Sequence, residues 1–176
     1  MTVRFSLDMD DWLAFNEYYF RTSPEMKKTR RNAIIVFPVA MALTALAMSL
    51  DSPMPWAFYA LLAVASLAWV LFYPRRFEKN ALKKARKLLA EGDNSGLLCE
   101  QEFQFGEDGL RVATNNSTET MAWDRIKKLV ATDGYYYLYN SAVSAYILPR
   151  AKLGLGPEEA AHLDGLLTSR LADVRA

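Results

Sequence analysis

The chain has 176 residues, a net charge of +1, one cysteine and one histidine. A chain of this length can form one domain of ordinary size with an additional segment. A lone cysteine excludes a disulfide within the chain, and with a lone histidine it excludes a clustered Cys/His metal site. The small net charge hides an asymmetry, because residues 1–91 carry 13 basic and 8 acidic residues while residues 92–176 carry 8 and 12.

Residues 1–31 are predicted to form a strand and helices. Apolar residues alternate with polar ones over residues 2–7, which is typical of a strand. Asp8 or Asp10 can then cap a helix, and a second helix starts at Pro24 and continues into the next segment. Because an isolated strand is not stable, we predict that residues 2–7 join the sheet formed later in the chain.

Residues 32–74 are predicted to form a transmembrane hairpin with spans 32–50 and 54–73. The run 32–50 and the run 52–74 hold no charged residue. At 1.5 Å per residue each reaches about 30 Å, the thickness of a bilayer core. The alternative is a pair of buried helices in a soluble core. Such helices usually keep a polar stripe, which neither run shows, so the pattern favours the membrane.

The only acid between the two runs is Asp51. A proton-relay carboxylate at the membrane midplane would lie about ten residues deeper in either run. The position instead favours a turn, in which Asp51 or Ser52 caps the second helix with Pro53 at its first position.

Basic residues flank the predicted hairpin on one side only, which predicts that both termini are cytoplasmic. Residues 75–91 read as a basic amphipathic helix, and a linker completes the segment 75–96. We expect the basic residues to contact an anionic cytoplasmic leaflet, although they also serve as a topology signal on a connecting helix. They are Lys27, Lys28, Arg30, Arg31, Arg75, Arg76, Lys79, Lys83, Lys84, Arg86 and Lys87.

Residues 97–176 are predicted to form a cytoplasmic domain of antiparallel strands with a closing helix. Period-two patterning marks six strands separated by turn residues, and a helix starts at Pro157. The strands are predicted at 100–106, 109–114, 117–123, 126–132, 134–140 and 143–149. With residues 2–7 the count is seven, and the fold class is α+β. The excess of acids disfavours binding to nucleic acid.

Tyr135, Tyr137 and Tyr139 share one face of the fifth of these strands. Tyrosine is enriched at protein interfaces, so this row is a candidate surface for an unknown protein partner. The alternative is that the row belongs to the core.

The sequences MAWDRIKKLVATDGYYYLY, AYILPRAKL and PEEAAHLDGLL resemble the C-terminal domain of the bacterial YcxB-like proteins. Members of that family pair a two-span hairpin with a pleckstrin-homology-like domain. The resemblance implies that fold for residues 97–176 and a multi-pass location in the bacterial cytoplasmic (inner) membrane. The family has no established activity, so the resemblance implies no mechanism.

Three classes of function are considered for this sequence. We expect a membrane-anchored interaction or regulatory module, and the alternative is an oligomeric pore or transport accessory subunit built on the hairpin. Alanines in both spans allow close helix packing, within one chain or in a homo-oligomer. An enzyme is not expected, because the sequence has no catalytic, metal or cofactor signature.

Overall fold

The computed structural model describes residues 1–51, 54–91 and 97–172. The chain divides into two compact units. The sheet unit holds residues 1–15 and the described residues from 86 onward, and the helical unit holds residues 16–85. Each unit is described by itself below.

The described part of the sheet unit contains seven antiparallel strands, so the predicted mixture of helices and antiparallel strands is confirmed. One sheet has the order β1-β2-β3-β4, and a second has the order β5-β6-β7. The strands are β1 Thr2–Ser6, β2 Glu100–Phe105, β3 Gly109–Thr114, β4 Thr118–Ala122, β5 Lys128–Ala131, β6 Tyr135–Tyr139 and β7 Ala145–Pro149. All six strands predicted after residue 97 are present, with ends shorter than predicted by up to two residues.

Strand β1 pairs with β2, as predicted for residues 2–7. The register runs from Thr2 opposite Gln104 to Ser6 opposite Glu100. Val3, Phe5 and Leu7 are buried, and the ring of Phe5 stacks on Phe103 with 5.3 Å between ring centroids. The hydrophobic pattern thus sets the register, because a slip by one residue would expose all three apolar side chains.

The described residues also form four α-helices: α1 Met9–Thr22, α2 Pro24–Asp51, α3 Trp56–Glu91 and α4 Pro157–Arg170. Asp8 caps α1, because its carboxylate accepts hydrogen bonds from the backbone N–H groups of Asp10 and Asp11. The carboxylate of Asp11 in turn accepts from the backbone N–H of Asp8 at 3.1 Å. This reciprocal arrangement satisfies donors that a helix start otherwise leaves unpaired.

Helix α3 is continuous over 36 residues, so the predicted span 54–73 and the predicted basic helix 75–91 lie on one helix. Pro74 lies inside this helix. Proline removes one backbone donor and usually ends or kinks a helix, but the residues after it are rich in alanine, leucine, lysine and arginine, which favour helix.

Helices α2 and α3 are long and apolar enough to cross a membrane, by length and composition. No part of the most apolar 18-residue window of either helix is buried. Helix α3 begins at Trp56, two residues after the predicted start. The predicted cap at Asp51 or Ser52 and the predicted position of Pro53 lie outside the residues and side chains that the structure describes.

The core of the sheet unit combines residues from both sheets and from α4. Phe103, Leu110, Leu138 and Leu148 are completely buried on four different strands, and so is Leu163 on α4. Leu163, Leu167 and Leu171, at the closing helix and its end, are buried, and Leu166 is half-buried. The lone cysteine, Cys99, is buried beside β2 as a small apolar residue.

Replacing Phe5 by alanine should destabilise the sheet that β1 shares with β2. The loss of a buried aromatic side chain at the edge of a sheet should cost about 2–4 kcal/mol. Hydrogen exchange of the full-length protein in detergent, followed by mass spectrometry, should show faster exchange in residues 100–105. Ser6→Ala, on the exposed face of the same strand, is the matched control. Equal exchange rates in the two variants would contradict a stabilising role for β1.

Candidate functional site

The predicted lipid-contact residues lie along two helices. Those between residues 27 and 31 lie near the start of α2, and those between residues 75 and 87 lie in the second half of α3. We call these two stretches the basic segments. Ten of their eleven basic side chains are exposed, and Arg30 is half-buried.

Three basic side chains of these segments form ion pairs. Arg30 donates to Glu78 at 2.9 Å, which joins α2 to α3 within the helical unit. Arg86 lies 3.8 Å from Asp10, and Lys87 lies 3.4 Å from Glu91. The other eight have no ion-pair partner in the described part of the chain. They are Lys27, Lys28, Arg31, Arg75, Arg76, Lys79, Lys83 and Lys84.

Aromatic side chains join the two long helices near the basic segments. The ring of Trp69 stacks on Phe37 of α2 with 4.6 Å between ring centroids, and on Tyr73 of α3 with 4.3 Å between ring centroids. The indole N–H of Trp69 also donates to the backbone carbonyl of Ala33 at 3.3 Å. Trp69 of α3 therefore packs against α2. Trp56, at the other end of α3, is 81 % exposed.

The tyrosine row does not form an exposed surface, and that prediction is wrong for Tyr137 and Tyr139. Both side chains are buried, and Tyr135 is only half-buried. The reason is that β6 is the central strand of its sheet and is covered on both faces. The ring centroid of Phe15, on α1, lies 5.4 Å from that of Tyr137 and 5.8 Å from that of Tyr139.

On the opposite face of β6, Tyr136 reaches α4. Its hydroxyl donates to Asp164 at 2.6 Å, and the guanidinium of Arg150 lies 4.0 Å from its ring centroid. Arg150 also lies 3.4 Å from Asp164. Burial, and then the hydrogen bond to Asp164, raise the pKa of Tyr136 to about 12. This arrangement fixes α4 on the sheet and uses one of the few basic side chains of the domain.

A polar cluster that sequence reasoning missed joins the start of α1 to the end of β7. Lys152 donates to Asp11 at 2.6 Å and also to Asp8, and the hydroxyl of Tyr135 donates to Asp11 at 3.2 Å. Asp11 is only 3 % exposed. We call these four residues the Lys152 cluster. They are separated by up to 144 positions in the sequence, and no local pattern marks them.

Contacts within the Lys152 cluster and burial shift the pKa values of three of its members. The hydrogen bond from Lys152 and those from the backbone lower the pKa of Asp8 from 3.8 to about 2. Burial acts to lower the pKa of Lys152, but hydrogen bonds to Asp11 and Asp8 outweigh it and raise that pKa. Burial, followed by the charge of Asp11, raises the pKa of Tyr135. Asp8 and Lys152 therefore stay ionised across the neutral pH range, while Tyr135 stays a neutral donor.

A cleft of about 280 Å³ opens where β2 and β3 of the first sheet approach the loop before β7 of the second. Leu7, Val112 and Ile147 are among its apolar lining residues. The hydroxyl of Tyr146 donates to Glu119 at its rim at 2.8 Å. Burial and Glu119 raise the pKa of Tyr146 far above its ordinary value, so it stays a neutral donor.

The described residues hold no group of three or more histidine, cysteine, aspartate or glutamate side chains that could bind a metal ion. His162, the only histidine, lies exposed on α4.

Lys152→Met should destabilise the sheet unit by about 1–3 kcal/mol at pH 7, because it leaves the buried Asp11 without its cation. Asp8 stabilises the fold above its ordinary pKa of 3.8, and this contribution is lost as the pH falls through about 2. In non-ionic detergent, the melting temperature of the variant should therefore lie below that of the wild type. This difference should be constant from pH 8 to 5 and should shrink towards pH 2.

Lys127→Met is the matched control, since Lys127 is exposed and its replacement should change stability by less than about 0.5 kcal/mol. A difference for Lys152→Met that is negligible, or that grows towards pH 2, would contradict the ionic account of the cluster.

Comparison with known proteins gives one match. A family model described as YcxB-like protein matches residues 105–167. No curated protein matches the chain, and no solved structure matches it. The matched segment runs from the last residue of β2 into α4 and contains the sequences on which the predicted resemblance rested. The predicted resemblance is confirmed, since residues 105–167 are similar to the YcxB-like family.

Proposed function

We propose that this protein is a membrane-anchored interaction or regulatory module, in which α2 and α3 cross a bacterial cytoplasmic membrane and the sheet unit lies in the cytoplasm. The observation that carries the proposal is the exposure of apolar side chains along both long helices. Val36, Leu43 and Leu46 of α2 are each at least 60 % exposed, as are Leu61 and Val64 of α3.

Such exposure is costly in water, at about 25 cal/mol for each Å² of apolar surface. Soluble monomers rarely show contiguous apolar patches larger than a few hundred Å². A lipid environment removes this cost, and the two helices are long enough to reach through it.

Strand pairing supports a hairpin that crosses twice. Strand β1 precedes α2 in the chain, and its partner β2 follows α3. Two paired strands must lie on the same side of a membrane, so the helices between them cross an even number of times. The basic segments favour the cytoplasm for that side.

We also propose that the sheet unit is a pleckstrin-homology-like domain. Support comes from its four-stranded and three-stranded antiparallel sheets with α4 following the last strand. A role in gripping an anionic headgroup is not part of this proposal. Arg150 is engaged by Asp164 and Tyr136, and Lys152 is engaged by Asp8 and Asp11, which leaves few basic side chains to build such a pocket.

Lipid contact is assigned instead to the basic segments. Eight basic side chains have no ion-pair partner among the described residues, and at about 1 kcal/mol each near an anionic surface they would hold the α2 and α3 ends at the headgroups. The sheet domain would then be free to bind a protein partner.

A pore remains the alternative function, and ion flux through liposomes that contain the protein would favour it. The uncharged runs 32–50 and 54–74 offer no charged lining for such a pore.

Cysteine accessibility should reveal the topology in intact cells. In a Cys99→Ser background, a membrane-impermeant maleimide should label Met54→Cys, between α2 and α3, from outside. The reagent should label Asn116→Cys, an exposed position between β3 and β4, only after the cells are lysed. Labelling of Asn116→Cys in intact cells would contradict a cytoplasmic sheet domain. Release of the protein from membranes by alkaline carbonate would contradict the membrane anchor itself.

A further inference from the structure

A groove in the helical unit lies between the second half of α1 and the part of α3 that follows the apolar run. Its volume is about 260 Å³. Phe20 and Leu82 provide apolar lining, while Arg21, Arg75 and Lys79 provide positive charge. Ligand sites in proteins usually combine an apolar surface with a few convergent polar groups in this way.

The two acids of the groove are already neutralised by other residues. Glu17 pairs with Arg21 of the same helix at 2.7 Å, and Glu78 pairs with Arg30 of α2 at 2.9 Å. Arg75 and Lys79 are both exposed and have no ion-pair partner in the described part of the chain. They are four residues apart on one helix, so their side chains lie next to each other. The groove therefore carries two adjacent cations whose charge is uncompensated.

The position of these cations indicates the chemistry of their ligand. Arg75 directly follows the uncharged run 52–74, so in the proposed membrane topology it lies at the level of the phosphate groups. Arginine and lysine are well suited to bind phosphate oxygens. The volume of the groove is small compared with most ligand pockets, which reach about 300–1,000 Å³. It would therefore admit a headgroup, while the acyl chains stay in the bilayer.

We propose that this groove binds the phosphate headgroup of one anionic phospholipid, with Arg75 and Lys79 on the phosphate and with Phe20 and Leu82 against the glycerol and upper acyl carbons. The inference rests on the proposed membrane function and goes beyond it, because it distinguishes one discrete site from the diffuse attraction of the basic segments. A free phosphate would satisfy the two cations equally well but would leave the apolar lining exposed.

Native mass spectrometry of the full-length protein in detergent tests this proposal, with phosphatidylglycerol and phosphatidylcholine added as probes. The wild type should retain one phosphatidylglycerol and bind phosphatidylcholine much more weakly. The double variant Arg75→Gln/Lys79→Gln should lose at least about tenfold in affinity for phosphatidylglycerol. The comparison variant is Lys83→Gln/Lys84→Gln, which removes the same charge from the same helix outside the groove and should lose clearly less affinity than Arg75→Gln/Lys79→Gln. Arg125→Gln/Lys127→Gln, at two exposed positions outside the basic segments, is the control that should bind like the wild type.

Equal losses in the two double variants of α3 would overturn the proposal in favour of diffuse electrostatics. Displacement of the lipid by millimolar glycerol phosphate would identify a free phosphate site instead.

Circular dichroism checks that each variant keeps its helices. Phe20→Ser provides a second test, since it should weaken lipid binding without removing charge. Carbonate extraction of the same proteins separates the two levels of inference. Retention in the membrane without lipid selectivity would refute the groove alone, and release from the membrane would refute the proposed function.

Discussion

The pairing of β1 with β2 constrains the whole molecule. It joins residues 2–6 to residues 100–104, and the two long helices lie between these strands in the chain. The sheet therefore cannot be completed until α2 and α3 have been synthesised. The hydrophobic alternation of Val3, Phe5 and Leu7 stabilises the pairing, because all three side chains are buried in one core. In the membrane topology that we propose, the same pairing would require both outer ends of α2 and α3 to face one compartment.

The Lys152 cluster strengthens the same connection at the turn between β1 and α1. Asp8 and Asp11 cap the helix, and Lys152, which follows β7, neutralises both carboxylates. The buried position of Asp11 makes this contact specific, since an unpaired carboxylate there would be costly. Phe15 then packs on the tyrosines of β6. The first 15 residues of the chain are in this way bound to the sheet unit at three levels: backbone, ion pair and aromatic contact.

Local patterns predicted most of the elements, and contacts between distant elements account for what they missed. Period-two alternation located all six later strands, and uncharged length located both long helices. The tyrosine row was misassigned because a strand pattern does not reveal that Phe15 covers Tyr137 and Tyr139 while Asp164 meets Tyr136. The sequence did not show that the second uncharged run and the basic stretch after it form one continuous helix through Pro74. The Lys152 cluster and the groove between α1 and α3 bring together residues from separate elements, for which one sequence carries no local signal.

Disulfide trapping of the β1–β2 pair tests the account most directly. The bonds from Leu7 N–H to the Cys99 carbonyl and from Phe105 N–H to the Met1 carbonyl mark the hydrogen-bonded positions, so Arg4 and Glu102 form a non-hydrogen-bonded pair with close Cβ atoms. In a Cys99→Ser background, Arg4→Cys with Glu102→Cys should form an intramolecular disulfide in membranes under mild oxidation. The control Ser6→Cys with Gln104→Cys, four residues out of register, should not. Failure of the first pair to cross-link, or equal cross-linking of the two, would contradict the register and the topology derived from it.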